Sequence, residues 1–280
     1  MDKNDDFAQF SMRFSQTVQN SKGKPFIFDH DGMRTLHLDA RFIQSAMRIA
    51  APNELLLSYT KAMTAFLLIQ PAPRHILIIG LGGGSLAKYC YHELSSARVT
   101  VLESEPDVIA LRESFFIPAD DARFQIVQAD AADYLAATKE RVDVILHDGY
   151  DTDGLAPGLC SGHFFQQCER VLDDEGIMVA NLLRNSDELL PAMLDLHSVF
   201  GQAMCWADAA GCFNRIVLAQ KRSGPNPCPV DLLDATAGQQ PSDAPALRDF
   251  VARARSAWGK SRAEFAAIAA DDPGAASPPA

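Results

Sequence analysis

Two aspartates three positions apart, Asp148 and Asp151, lie in the stretch HDGYDTDG at residues 147–154, flanking Gly149 and Tyr150. Carboxylates so spaced suit an amine: one holds the ammonium and the other takes its proton, because a protonated amine has no lone pair with which to attack carbon. Earlier in the chain, ILIIGLGGGSLAKYC (residues 76–90) runs four apolar residues into glycines at 80, 82, 83 and 84 and on into helix-favouring residues. Glycines let a backbone approach a ligand closely, and a helix starting near Ser85 aims its free amides and positive dipole at the same place. Gly80, Gly82 and Ser85 nearly spell the dinucleotide fingerprint, and Glu103 follows at close to the spacing of a ribose contact. Glu103, Asp130 and Asp148 each end an apolar run. Three acids on one sheet edge suit an adenosyl sulfonium better than a dinucleotide, which needs room for a pyrophosphate and a second nucleoside. Glu103 is placed to accept from both ribose hydroxyls and Asp130 from an adenine amino group.

These residues need a scaffold that carries them to one edge. Between residues 75 and 182, apolar runs (HILIIG, RVTVLES, FQIVQAD, VDVILHDG, GIMVANLL) alternate with helical patterns (SLAKYCYHEL, PDVIALRESF, AADYLAATK, GHFFQQCERVL). Runs without polar alternation mean strands buried on both faces, and helices between them mean right-handed crossovers. The predicted class is α/β: a doubly wound, mostly parallel, Rossmann-like class I methyltransferase fold over residues 71–222. A helix over 186–200 and a terminal antiparallel pair, QAMCWADA and NRIVLAQK, complete it. Residues 1–70 are read as an N-terminal element: a β-hairpin in KPFIFDHDGMRTLHLDA, turning at its Asp-Gly, then a lead-in helix in NELLLSYTKAMTAFLLIQP that stops at Pro71. Residues 223–280 are read as an Ala/Pro-rich tail, helical in ALRDFVARARSAWGKSRAEFAAIAA and disordered in DDPGAASPPA.

Composition narrows the partners. A net charge of -11 argues against nucleic acid, whose phosphates call for a basic face. No stretch is long and apolar enough for a membrane span, the N-terminus shows no secretory h-region, and the expected location is the cytoplasm. The six cysteines form no CxxC pair and read as reduced thiols. The polar groups of Asp29, His30, Asp31, His37 and Asp39 read as hairpin flanks rather than metal ligands, so no metal is expected. Glu105, in SEPD, reads as a helix cap.

The runs HILIIGLGGG, ADAADY and VILHDGYDTDGLAPGLCSGHFFQQCERVLDDEGIMVANL, together with Glu103, resemble the core of the polyamine aminopropyltransferases, the spermidine synthase family; RTLHLDARFIQSAM and LLLSYTKAM are similar to that family's hairpin and tyrosine helix. The resemblance covers roughly residues 25 to 220. It implies transfer of an aminopropyl group from decarboxylated S-adenosylmethionine to a small amine such as putrescine. Gly80, Gly82, Gly83, Gly84, Glu103, Asp130 and Ala131 would hold the donor. Asp148 would be the base, with Asp151 its partner on the amine, and Tyr59, Gln44 and Tyr150 would line the pocket where the two substrates meet. It also implies a homodimer.

The chain departs from the family pattern twice. Gly83 stands where an aspartate usually holds the donor's ammonium, which relaxes discrimination against the α-carboxylate of intact S-adenosylmethionine. Thr60 and Lys61 stand where His-Glu usually follows the tyrosine. Two other readings therefore accompany the first: an S-adenosylmethionine-dependent methyltransferase on the same scaffold, and a catalytically silent adenosyl-binding protein with the tail as its partner-binding part.

Overall fold

A computed structural model describes residues 3–150, 154, 156–222 and 248–257. Asp151, Asp153 and most of the 223–280 tail lie outside the described residues.

Helix α1 (Lys3–Ser21) opens the chain, where the sequence reading placed only a β element. Its apolar stripe is thin and easily missed: Phe10 and Phe14, one turn apart, stack on each other and meet Phe28 edge-on, each with ring centroids 5.2 Å away. Strands β1 (Phe26–His30) and β2 (Met33–His37) form the expected hairpin. Its turn is Asp31-Gly32, both with positive φ, the geometry whose twist matches that of the flanking strands. A third strand, β3 (Ser45–Arg48), pairs with β2; four residues without alternation gave no sign of it in the sequence. Helix α2 (Ser58–Met63) tightens into a 3-10 turn at Thr64–Leu68 and ends ahead of Pro71.

The main sheet holds β4 (His75–Ile79), β5 (Arg98–Glu103), β6 (Phe124–Gln128), β7 (Val142–His147), β8 (Leu172–Leu183), β9 (Met204–Asp208) and β10 (Asn214–Gln220). Their order is β6-β5-β4-β7-β8-β10-β9, with the first five parallel and β10 antiparallel to both its neighbours. Helices α3 (Ser85–Glu93), α4 (Pro106–Ile109), α5 (Ala131–Ala137), α6 (Gly162–Val171) and α7 (Leu189–Phe200) make the connections. Alternate residues of one strand feed opposite layers: Ile76 and Ile78 join one core, Leu77 and Ile79 the other. That is why the strands read as continuous apolar runs. Part of the tail also belongs to the core: residues 248–257 are helical, and Phe250 and Ala254 are buried in the first layer.

Helix α3 buries a cation. Lys88 has no exposed surface; its Nζ donates to the Phe115 carbonyl at 2.8 Å and lies 3.1 Å from Met47 Sδ. No carboxylate among the described residues pairs with it, and loss of water pulls its pKa from 10.5 to about 8. Below pH 8 both folded and unfolded chains carry the proton, and the cost of burial is felt in full. Between about 8 and 10.5 the unfolded chain holds more protons, so stability rises with pH. Lys88→Met is therefore expected to raise stability by about 2 kcal/mol at pH 7, after allowing for the lost bond to Phe115. Urea unfolding of both proteins should show that gap narrowing toward pH 10; a gap constant with pH would mean the lysine carries no desolvation cost.

Candidate active site

Strands β4 and β7 lie side by side with Ile79 opposite His147, so Gly80 and Asp148 leave the sheet at the same edge. The chain order reverses at β4, and open α/β sheets bind ligands in the crevice beyond the strand ends at such a point. The two segments are very close: the Asp148 amide donates to the Ile79 carbonyl at 2.9 Å, and a Cβ on Gly80, whose φ is +93°, would stand 2.4 Å from the Asp148 carbonyl oxygen.

Asp148 is the centre of a hydrogen-bonded group. Its Oδ1 accepts from Asn181 Nδ2 at 2.8 Å and its Oδ2 from the Tyr59 hydroxyl at 3.3 Å. Burial still outweighs those two bonds and pushes its pKa up to about 6. Tyr59, from α2, has its hydroxyl held well above the usual phenol range by burial, with the Asp148 charge adding to it. The Tyr150 hydroxyl, likewise pushed up by burial, donates to the Asn181 carbonyl at 2.7 Å. Asn181 Oδ1 accepts in turn from Asn214 Nδ2 at 3.0 Å.

The glycine loop is held from two sides. Glu103, at the end of β5, accepts from the Leu81 amide through Oε2 and from the Glu105 amide through Oε1, both at 2.9 Å. Glu105 occupies the cap position of α4 but makes no capping bond with its side chain, so the sequence reading of it as a cap holds only for its place. On the other side, Ser45 Oγ accepts from the Gly83 amide at 2.9 Å, bringing β3 against the loop. Gly84, at φ +67°, starts α3 against Ile117. Half-buried Gln44 immediately precedes Ser45, and Gly82 faces the Ser45 hydroxyl.

At the next strand end, exposed Asp130 caps α5 by accepting from the Asp133 amide at 3.0 Å, with Ala131 buried behind it. His147 is buried, with Nε2 2.9 Å from the Leu159 carbonyl. Lys61 lines a cavity of about 60 Å³ with Ser58, Asp208, Phe250 and Arg253. Asp29 is paired with Arg34 and Asp39 with Arg41.

The structure thus joins Asp148, Tyr59 and Tyr150, and sets Glu103, Gln44 and the glycines along the adjoining loop. Sequence reasoning missed Asn181, hidden inside the apolar run VANLL, and Asn214, read only as part of the terminal strand pair. A buried amide amid aliphatic residues at the carboxyl end of a strand was the available signal.

Comparison with known proteins gives the family and the fold. The Spermine/spermidine synthase domain matches residues 56–194. A polyamine aminopropyltransferase of Chromobacterium violaceum is 36% identical over 198 residues, covering 70% of this chain and 76% of that protein. Among solved structures, a probable spermidine synthase from Corynebacterium glutamicum superposes with a TM-score of 0.63 at 19% identity, over 82% of this chain and 91% of its own. Human methyltransferase-like protein 13, in complex with SAH, superposes at 0.58 with 23% identity, over 70% and 93%. These two likenesses show the fold, that of class I methyltransferases. The sequence match shows the lineage: the chain belongs to the polyamine aminopropyltransferase family and is an enzyme of the transferase class.

Proposed function

We propose that the protein moves the aminopropyl group of decarboxylated S-adenosylmethionine onto a small amine such as putrescine and releases methylthioadenosine. The observation that carries the reading is Asp148: a partly buried carboxylate with a pKa pushed up to about 6, both oxygens hydrogen-bonded, at the strand end beside the glycine loop. A base of that proton affinity is ionised at neutral pH and basic enough to help an ammonium lose its proton. The amine lone pair then attacks the methylene next to the sulfonium, the carbon–sulfur bond breaks, and its electron pair neutralises the sulfur. The amine's proton goes to Asp148. The chemistry calls for no covalent intermediate, and the rate comes from alignment and exclusion of water.

In this reading Glu103 holds the ribose hydroxyls through lone pairs its two amide bonds leave over, and Asp130 with Ala131 receives the adenine. Gly80, Gly82, Gly83 and Gly84 let the backbone approach the donor. Tyr59, Gln44 and Tyr150 line the meeting point of donor and acceptor, and Asp151 joins Asp148 on the amine. Cytoplasmic location and a homodimer belong to the same proposal; among the described residues no helix is long and apolar enough to cross a membrane.

Methyl transfer on the same fold is the reading to be tested against the first. Gly83 offers no carboxylate to a donor ammonium, and a side chain there would start 2.8 Å from Ser45 Cβ and 2.9 Å from the Phe115 ring. Calorimetric titration with decarboxylated and intact S-adenosylmethionine separates the two. A preference of tenfold or more for the decarboxylated donor, about 1.4 kcal/mol, is expected, together with methylthioadenosine release when an amine is added. Equal or reversed affinity, with methyl transfer to an added acceptor, would replace the first reading by the second.

A further inference from the structure

We infer that Asn214 is a positioning residue for the base: it helps hold the Asn181 amide with its N–H toward Asp148 and so favours the carboxylate over the acid. The register makes the contact possible. His147 lies opposite Ala180 in the parallel β7–β8 pair, so Asp148 comes level with Asn181. Across the antiparallel β8–β10 pair, Asn214 is opposite Leu183 and Ile216 opposite Asn181, which makes Asn181 and Asn214 diagonal neighbours on one face. The chain of bonds runs in one direction: Asn214 Nδ2 to Asn181 Oδ1 at 3.0 Å, then Asn181 Nδ2 to Asp148 Oδ1 at 2.8 Å.

A carboxamide has a donor end and an acceptor end of nearly the same shape, so its direction is set by its partners. With Asn214 donating to Oδ1 and Asp148 accepting from Nδ2, the Asn181 amide is held from both ends with its N–H toward Asp148, and that favours the carboxylate. Turned over, it would present a carbonyl oxygen to a carboxylate oxygen, an arrangement that is favourable only when Asp148 carries a proton. Asn181 is 2% exposed, and its own backbone is anchored by Tyr150, so water has little access to do the work of Asn214. The other groups that face this cluster among the described residues are Tyr59 from α2, Tyr150 beyond β7, Cys212 beside Tyr59, and Cys160 beside Tyr150. The two tyrosines keep their protons in the range where Asp148 titrates.

Asn214→Leu keeps the size and removes the donor without adding charge; Asn214→Ala is the second variant should the first fail to fold. The full chain, labelled with 13C at aspartate carboxyls, is titrated by NMR, with the Asp148 signal assigned by its loss in Asp148→Asn. The expected result is that Asp148 titrates half a unit or more higher in the folded variant than in the wild type. The acid limb of kcat should move by the same amount. A titration unmoved in the folded variant, or a kcat lowered equally at every pH, would overturn the inference and leave Asn214 a structural residue. The kinetic half rests on the aminopropyl reading, and the NMR half does not. A wild type that releases no methylthioadenosine with any amine would count against that reading, with the titration still deciding the role of Asn214.

Discussion

Asp148→Asn is expected to lower turnover by about three orders of magnitude while adenosyl ligands bind with unchanged affinity and the protein becomes more stable. Loss of turnover follows from removing the proposed proton acceptor; an amide cannot take a proton from an ammonium. In the proposed reading donor binding survives because the glycine loop and Glu103 are held by their own bonds to Ser45, Leu81 and Glu105. The gain in stability follows from linkage. An aspartate with a folded pKa of about 6 against 3.8 when free binds more protons folded than unfolded between those values, so stability falls as pH rises through that window. At pH 7 the ionised carboxylate is therefore held at a cost. A neutral amide of the same shape relieves it, by about 1–2 kcal/mol after imperfect replacement of two hydrogen bonds. Thermal unfolding, a titration with methylthioadenosine and a turnover assay on one preparation check all three. The wild-type kcat should itself fall below about pH 6, as the base takes up its proton. A variant that lost ligand binding along with turnover would place Asp148 in donor binding or folding instead.

Gly80→Ala is expected to cost stability where Asp148→Asn adds it. The added methyl would sit 2.4 Å from the Asp148 carbonyl oxygen and 2.9 Å from its carbonyl carbon. These are backbone atoms in a paired strand end and cannot turn aside as a side chain could. The φ of +93° adds a conformational penalty for any residue with a Cβ. Together these amount to about 3–4 kcal/mol, or roughly 10 °C in the unfolding midpoint. Because the clash falls on Asp148 itself, the folded fraction should also be inactive, which circular dichroism and a turnover assay would show together. A variant with unchanged midpoint and activity would mean that β4 and β7 can separate at this edge without consequence.

The parts of the site that were readable in the sequence are those whose chemistry is local. Apolar runs marked β4 to β8, although the edge strand β6 buries only Phe124, and the acids at their ends were placed on one edge because parallel strands all finish there. The glycine loop was readable because a strand, a cluster of glycines and a helix follow one another without a gap. What escaped depends on distant pairing. Ser45 meets Gly83 only because a four-residue strand folds against the loop from an earlier part of the chain. Asn181 reads as an exception within an apolar strand, and its meaning appears only when Asn214 is brought beside it by a strand inserted from later in the sequence. Lys88 sits among ordinary helical residues, and nothing in SLAKYC says that its ammonium will be covered by Met47 and Phe115. Helix α1 was missed because, of its three phenylalanines, Phe7 stays exposed, and Phe10 and Phe14 make a weak stripe until the hairpin supplies Phe28 beneath them.

The place of β10 between β8 and β9 means that the sheet cannot be completed until the last strand has been made. A nascent chain halted before residue 214 has already made the glycine loop, Glu103 and Asp148, yet β8 still presents an open edge and the Asn181 amide is held only from its Asp148 side. A truncated chain would thus hold the glycine loop and Asp148 without the Asn214 contact to Asn181. The sheet is therefore closed around this group only when β10 takes its place between β8 and β9.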